Sequence, residues 1–170
     1  MVALIRFGRL VETCGLKPKT AQYVLRTPGA LNGMPQSGRQ GSHREFSLRQ
    51  AVQLAICTLL VEGGVELTTS ARIVRYCENQ IKKLNRFSRA DGRAYFSNVT
   101  DPWLLCVDDR QYCKLWREQI RRGDAWADKD DDYFNVLSGK HEPASPLRMT
   151  RYEINLTQLE HRLAVAVSLD

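Results

Sequence analysis

The spacing of apolar positions predicts helices over most of the first half of the chain and short strands over much of the second. Phe7, Leu10, Val11 and Cys14 recur at helical spacing within residues 4 to 14, and Gly15 follows where a helix commonly ends. Pro18 suits the first turn of a second helix, residues 18 to 27. Ala21, Val24 and Leu25 share one of its faces, and Lys19, Gln22, Tyr23 and Arg26 lie largely on the other. Pro28 and Gly29 end it. Two short helices joined by a short turn containing Gly make a helix-turn-helix arrangement. Ser47 and Gln50 have the S-x-x-Q form of a capping box, opening a helix that runs to about Glu62 and stops at Gly63-Gly64. Its stretch "LRQAVQLAICTLLV" is apolar nearly all round, which predicts the buried centre of an N-terminal core. A further helix starts near Thr68 or Thr69, with Val74, Cys77, Ile81 and Leu84 along one face.

Beyond residue 85 the pattern changes. Residues 85 to 102 read as a connection. "WLLCV" and "RQYCKLW" flank Asp108-Asp109 as two strands of a hairpin. "RRGDAWADKDDD" reads as a loop or short helix, "YFNVLSG" as a third strand, "HEPASP" as a loop and "RYEINL" as a fourth strand. Thr157 is expected to cap a last helix, "QLEHRLAVAV". The predicted class is α+β: a helical N-terminal domain at 1–86, a connection at 87–100, and a small α+β domain at 101–170.

Charge sharpens this division. Residues 1 to 90 carry 14 Lys and Arg against 5 Asp and Glu, whereas residues 91 to 170 carry 11 against 14. A basic half joined to a mildly acidic half suggests that the first meets a polyanion and the second does not. The five cysteines are odd in number and form no C-x-x-C pair, which argues against a disulfide framework and for a reducing cytoplasm. No apolar run reaches the length of a membrane span, and Arg6, Arg9 and Glu12 interrupt any secretory apolar segment near the start, so no membrane partner is expected.

The stretch "PQSGRQGSHREFS" at 35 to 47 has the composition of a flexible linker. From Pro28 to Arg44, however, there is no acidic residue, while Arg39, His43 and Arg44 are present. It therefore reads either as slack or as a basic finger.

The order of these segments resembles the DNA-binding domain of MerR-family regulators over roughly residues 4 to 84. "GLKPKTAQYV" is similar to that family's recognition-helix segment, "GSHREFSLRQAVQLAI" to its wing strand and following helix, and "VEGGVELTTSARIV" to the closing turn and helix. Gln22 stands where the family usually has Arg, Val24 and His43 stand where it has aromatics, and its long dimerisation helix is not evident. The resemblance implies a winged helix-turn-helix in which the glycines turn a β-wing, Arg39, His43 and Arg44 ride on its tip and return strand, and Phe46 anchors it. On that frame Phe46 should be buried, Arg44 exposed, and Gly38 to Gly41 should form the bend.

Such a domain needs phosphate contacts for affinity and base-edge contacts for specificity. Lys17, Lys19 and Thr20 open the second helix, whose N-terminus favours an anion. Gln22 has the amide geometry to read adenine in the major groove. Tyr23 can donate to a phosphate, or pack in the core instead. Arg26 can reach backbone or guanine; with Lys19 it also fits a solvated surface. Arg39 and Arg44 suit a phosphate strand or a minor groove.

The expected partner is double-stranded DNA, bound by a homodimeric, sequence-specific transcriptional regulator in the cytoplasm with the nucleoid. The C-terminal domain is expected to dimerise, bind a small-molecule effector or hold a protein. Two alternatives are an excisionase-like DNA-bending protein and a module whose basic face binds an acidic partner. No G-x-S-x-G, P-loop or H-E-x-x-H motif occurs, so no catalytic residue or cofactor is expected. Cys77, Cys106 and Cys113 are weighed as metal ligands, but the spacing is wrong and buried cysteine is the simpler reading, so no metal is expected. "DKDDD" lacks the Gly and Glu of an EF-hand loop. The aromatics between Tyr95 and Phe134 read as a small core rather than as a pocket.

Overall fold

The computed structural model describes residues 4–35, 44–84, 102–116, 132–143 and 150–168. Within them five helices and two antiparallel sheets make a mixed α/β fold. In chain order the first half comprises β1 (Leu4–Arg6), α1 (Phe7–Cys14), α2 (Pro18–Arg26), β2 (Glu45–Ser47), α3 (Leu48–Glu62) and α4 (Leu67–Leu84). The second comprises β3 (Leu104–Asp108), β4 (Tyr112–Trp116), β5 (Asp132–Asn135), β6 (Lys140–Pro143), β7 (Arg151–Asn155) and α5 (Leu156–Ser168).

Each helix ends where local chemistry requires. At Gly15 the chain turns left-handed (φ 64°), and the amides of Gly15 and Leu16 bond back to the carbonyls of Glu12 and Val11. That closes α1 with a motif that costs a residue bearing a Cβ more than it costs Gly. The capping box of α3 is formed: Ser47 Oγ accepts from the Gln50 amide at 3.3 Å, and Gln50 Oε1 accepts from the Ser47 amide at 2.9 Å. The last helix differs from expectation. Asn155 Oδ1 accepts from the Gln158 amide at 2.8 Å, so Asn155 satisfies the first turn of α5. Thr157 instead accepts from the Trp103 amide at 2.9 Å, tying α5 to the start of β3.

Two strands replace other expected structure. Residues 4 to 6 are β1 rather than the opening of α1, because Ile5 pairs across from Phe46 and both are completely buried. "HEP" belongs to β6, not to a loop: the turn after β5 returns the chain, with Phe134 opposite His141 and Asn135 opposite Lys140. The hairpin expected around Asp108-Asp109 forms, but Asp108 ends β3 opposite Tyr112, so the loop is the three residues 109–111. Asp109 and Arg110 both have positive φ (47° and 62°), and the Gln111 amide donates to the Asp108 carbonyl at 3.2 Å. The larger sheet runs β6-β5-β4-β3-β7. The expected connection at 87–100 and most of the stretch 121–132 lie outside the described residues.

The buried apolar residues of the two halves belong to one cluster. It includes Leu10, Val24, Phe46, Leu54 and Ile73 from the first half and Leu105, Val107, Leu156 and Leu163 from the second. α5 packs on α1, α3 and β1. At the end of α3, the Tyr152 hydroxyl donates to the Gly63 carbonyl, and the ring lies so close that a Cβ on Gly63 would meet Tyr152 Cε1 at 2.7 Å. Gly63 has an ordinary helical φ of −75°, so this close approach, not backbone strain, is what calls for Gly.

Gly63→Ala should therefore destabilise the protein by about 1–3 kcal/mol, the usual range for overpacking. Chemical denaturation should find the loss smaller in a Tyr152→Leu background, because the clash is then gone.

Candidate nucleic-acid interface

α2 sorts its residues by face. Ala21 and Val24 are buried in the core, Leu25 is half-buried, and Pro18, Lys19, Gln22, Tyr23 and Arg26 are exposed. Positions 19, 22, 23 and 26 follow the i, i+3, i+4, i+7 spacing of a single face. Tyr23 is 55% exposed, which removes the reading in which it packs in the core. Thr20 is half-buried at the edge of this face, and Lys17 is exposed just ahead of it. There is no acidic residue in the helix. The side chains of Lys19, Gln22 and Arg26 make no hydrogen bond or ion pair among the described residues, so their polar ends face solvent.

Two side chains of α3 hold this helix from behind. Glu62 Oε1 accepts from the Lys17 amide at 2.6 Å, at the entry to α2. Gln50 Nε2 donates to the Gly33 carbonyl at 2.6 Å and so fixes the chain that leaves α2. Ser47 starts α3 and also ends β2, opposite Leu4. Nothing in the sequence points to Glu62 or Gln50 in these roles, because each bond joins residues distant along the chain. The Glu62 carboxylate also alters one expectation. It stands at the positive N-terminal end of α2, where a phosphate was expected, and such a carboxylate contributes about 0.3–1 kcal/mol to helix stability. Lys19 and Arg26, by contrast, project outward from the helix.

Arg44 is half-buried rather than exposed, because its carbonyl accepts from the Phe7 amide at 3.0 Å and draws the backbone onto α1. Phe46 is completely buried, as expected, and its ring lies 6.4 Å from that of Phe7. The described partner of β2 is β1. Arg39, His43 and the Gly38–Gly41 bend lie outside the described residues. Of the nine positions singled out in sequence, the fold therefore gathers Lys17, Lys19, Thr20, Gln22, Tyr23 and Arg26 on or beside α2, with Arg44 apart from them, just before β2.

The cysteines do not assemble into a ligand set. Cys57, Cys77, Cys106 and Cys113 are buried and Cys14 is half-buried, all as free thiols, and no cluster suited to a metal ion occurs among the described residues. Burial pushes Cys14 from the ordinary 9.0 up to about 11 and Cys57 up to about 12. It raises Cys77 and Cys113 as well.

Two clefts among the described residues bear on ligand binding. One, about 360 Å³, lies between Leu59 and Leu60 of α3 and Ile154, Gln158 and Arg162 of the β7–α5 segment. None of the described aromatics between Trp103 and Phe134 lines it. Among them Tyr133 is buried in the sheet, and Trp103 and Phe134 are half-buried against the core. Tyr95, Phe96 and Trp126 lie outside the described residues. The other cleft is taken up below.

No protein-family model matches the chain, and no curated protein matches it. No helix among the described residues is long and apolar enough to cross a membrane.

The raised thiol values predict a pH dependence. A thiol whose folded pKa exceeds its unfolded value favours the folded state while protonated. That contribution is complete below about pH 9 and is lost as pH rises through 11 to 12. Alkylation of Cys14 and Cys57 at pH 8 should accordingly be slow in the native protein and rapid in denaturant. Equal rates in both states would show that burial does not protect these thiols.

Proposed function

We propose that the protein is a sequence-specific, double-stranded DNA-binding transcriptional regulator of MerR-like, winged helix-turn-helix type, with α2 as the helix that enters the major groove. The observation that carries this reading is the outer face of α2: Lys19, Gln22, Tyr23 and Arg26 project from an acid-free helix whose inner face is buried. An amide flanked by cations and a phenol is the composition that groove reading needs: Gln for the adenine edge, Arg and Lys for phosphate or guanine, and Tyr for phosphate. The basic balance of residues 1 to 90 supports it, because phosphate contacts supply most of the affinity for duplex. Pairing of β2 with β1 and burial of Phe46 support a sheet braced against the helices beside α2. A homodimer on a two-fold site is part of the proposal, drawn from the resemblance alone.

Gel-shift titration over a range of salt tests the reading. Arg26→Ala should weaken binding about equally on all sequences and reduce the salt slope by about one. Gln22→Ala should cost about 1–3 kcal/mol on the preferred site and little elsewhere. Wild-type protein that binds no duplex at low salt, or binds every duplex equally, would contradict the proposal.

A further inference from the structure

The second cleft, about 290 Å³, opens between α4 and the β5–β6 hairpin. Its apolar wall is a packed aromatic unit. Tyr76 stacks on Phe134 with ring centroids 4.9 Å apart at 11°, and His141 meets the edge of Phe134 at 5.3 Å and 65°. Val136 completes that wall, and its carbonyl accepts from Arg72 Nη1 at 3.4 Å, which fixes the first guanidinium beside the rings. Arg75 lies one residue before Tyr76, is exposed, and has no hydrogen bond or ion pair among the described residues. Asn79 and Gln80 add amide groups from the next turn of α4.

No carboxylate lines the cleft among the described residues. The nearest acids in sequence are engaged elsewhere. Glu78 accepts from Arg49 at 2.7 Å and from Gln53, and Glu142 accepts from Asn135 and from Ser138 at 3.4 Å. Two arginines therefore line the cleft together with an aromatic wall, with no carboxylate among its described lining residues. Arg groups recognise terminal oxygens through several parallel hydrogen bonds, and an aromatic wall takes a planar body.

We propose that this cleft binds a small organic phosphate monoester, its phosphate held by Arg72 and Arg75 and its apolar body against Tyr76 and Phe134. A dianion with three terminal oxygens uses two guanidiniums and the adjoining amides more fully than a carboxylate does. The space equals that of about ten water molecules, enough for a ligand of that many non-hydrogen atoms. The site is independent of the DNA-binding face, so it is tested without DNA.

Titrating the whole chain with phenyl phosphate, followed by calorimetry and by the proton resonances of Tyr76 and Phe134, is the test. Saturable binding is expected, at least about tenfold tighter than for inorganic phosphate. Arg75→Gln and Asn79→Asp, both at exposed positions, should each weaken it at least about tenfold, since each removes or opposes a charge-assisted contact. The proposal is overturned by absence of saturation at about 10 mM, far weaker than a specific small-ligand site. It is equally overturned by unchanged affinity in Arg75→Gln, or by equal affinity for inorganic phosphate, which would mark an adventitious anion site only.

Discussion

Eight consecutive residues of α3, Ala51 through Thr58, are buried, so for about two turns the helix has no face toward water. Such a segment can exist only if other elements cover every side. α1, α2, α4, α5 and both short strands all pack on it. Because α3 must be covered on every side, each surrounding helix packs with its own apolar stripe against it. The polar groups at the two ends of α3 then refine those positions: Ser47 and Gln50 at the start, and Glu62 at the end. The outward face of α2 is thus placed by a helix that is itself largely buried.

The same constraint joins the halves of the chain. α3 needs cover that the first 84 residues do not fully supply, and α5 completes it from the far end of the sequence. Tyr152 lies over Gly63, and α4 meets β4 and stacks Tyr76 on Phe134. Domain boundaries read from composition and charge described where the pattern changes from helices to strands. They did not foresee a C-terminal helix inserted among N-terminal ones, because its apolar positions fit any core equally well.

Elements governed by local rules were legible in sequence. The α1 stop at Gly15, Pro18 in the first turn of α2, the Ser47–Gln50 box and the β3–β4 hairpin, though not the exact position of its turn, all depend on residues a few positions apart. What was not legible depends on partners far along the chain. Residues 4 to 6 have enough apolar character for either a helix or a strand, and only Phe46 across from Ile5 decides it. Asn155 and Thr157 are both good capping residues, and the amide of Trp103 takes one of them. The outer face of α2 was visible as a helical stripe, but Glu62 at its entry was not, and Arg44 came out half-buried because Phe7 holds its carbonyl.

The central claim is that the face of α2 held out by α3 is the surface that meets duplex DNA. A photoreactive aromatic residue in place of Tyr23, compared with one in place of the equally exposed Leu137 on the β5–β6 turn, tests it directly. The account predicts crosslinking of duplex DNA at position 23 and none at 137. Crosslinking at 137 alone, or equally at both, would contradict it.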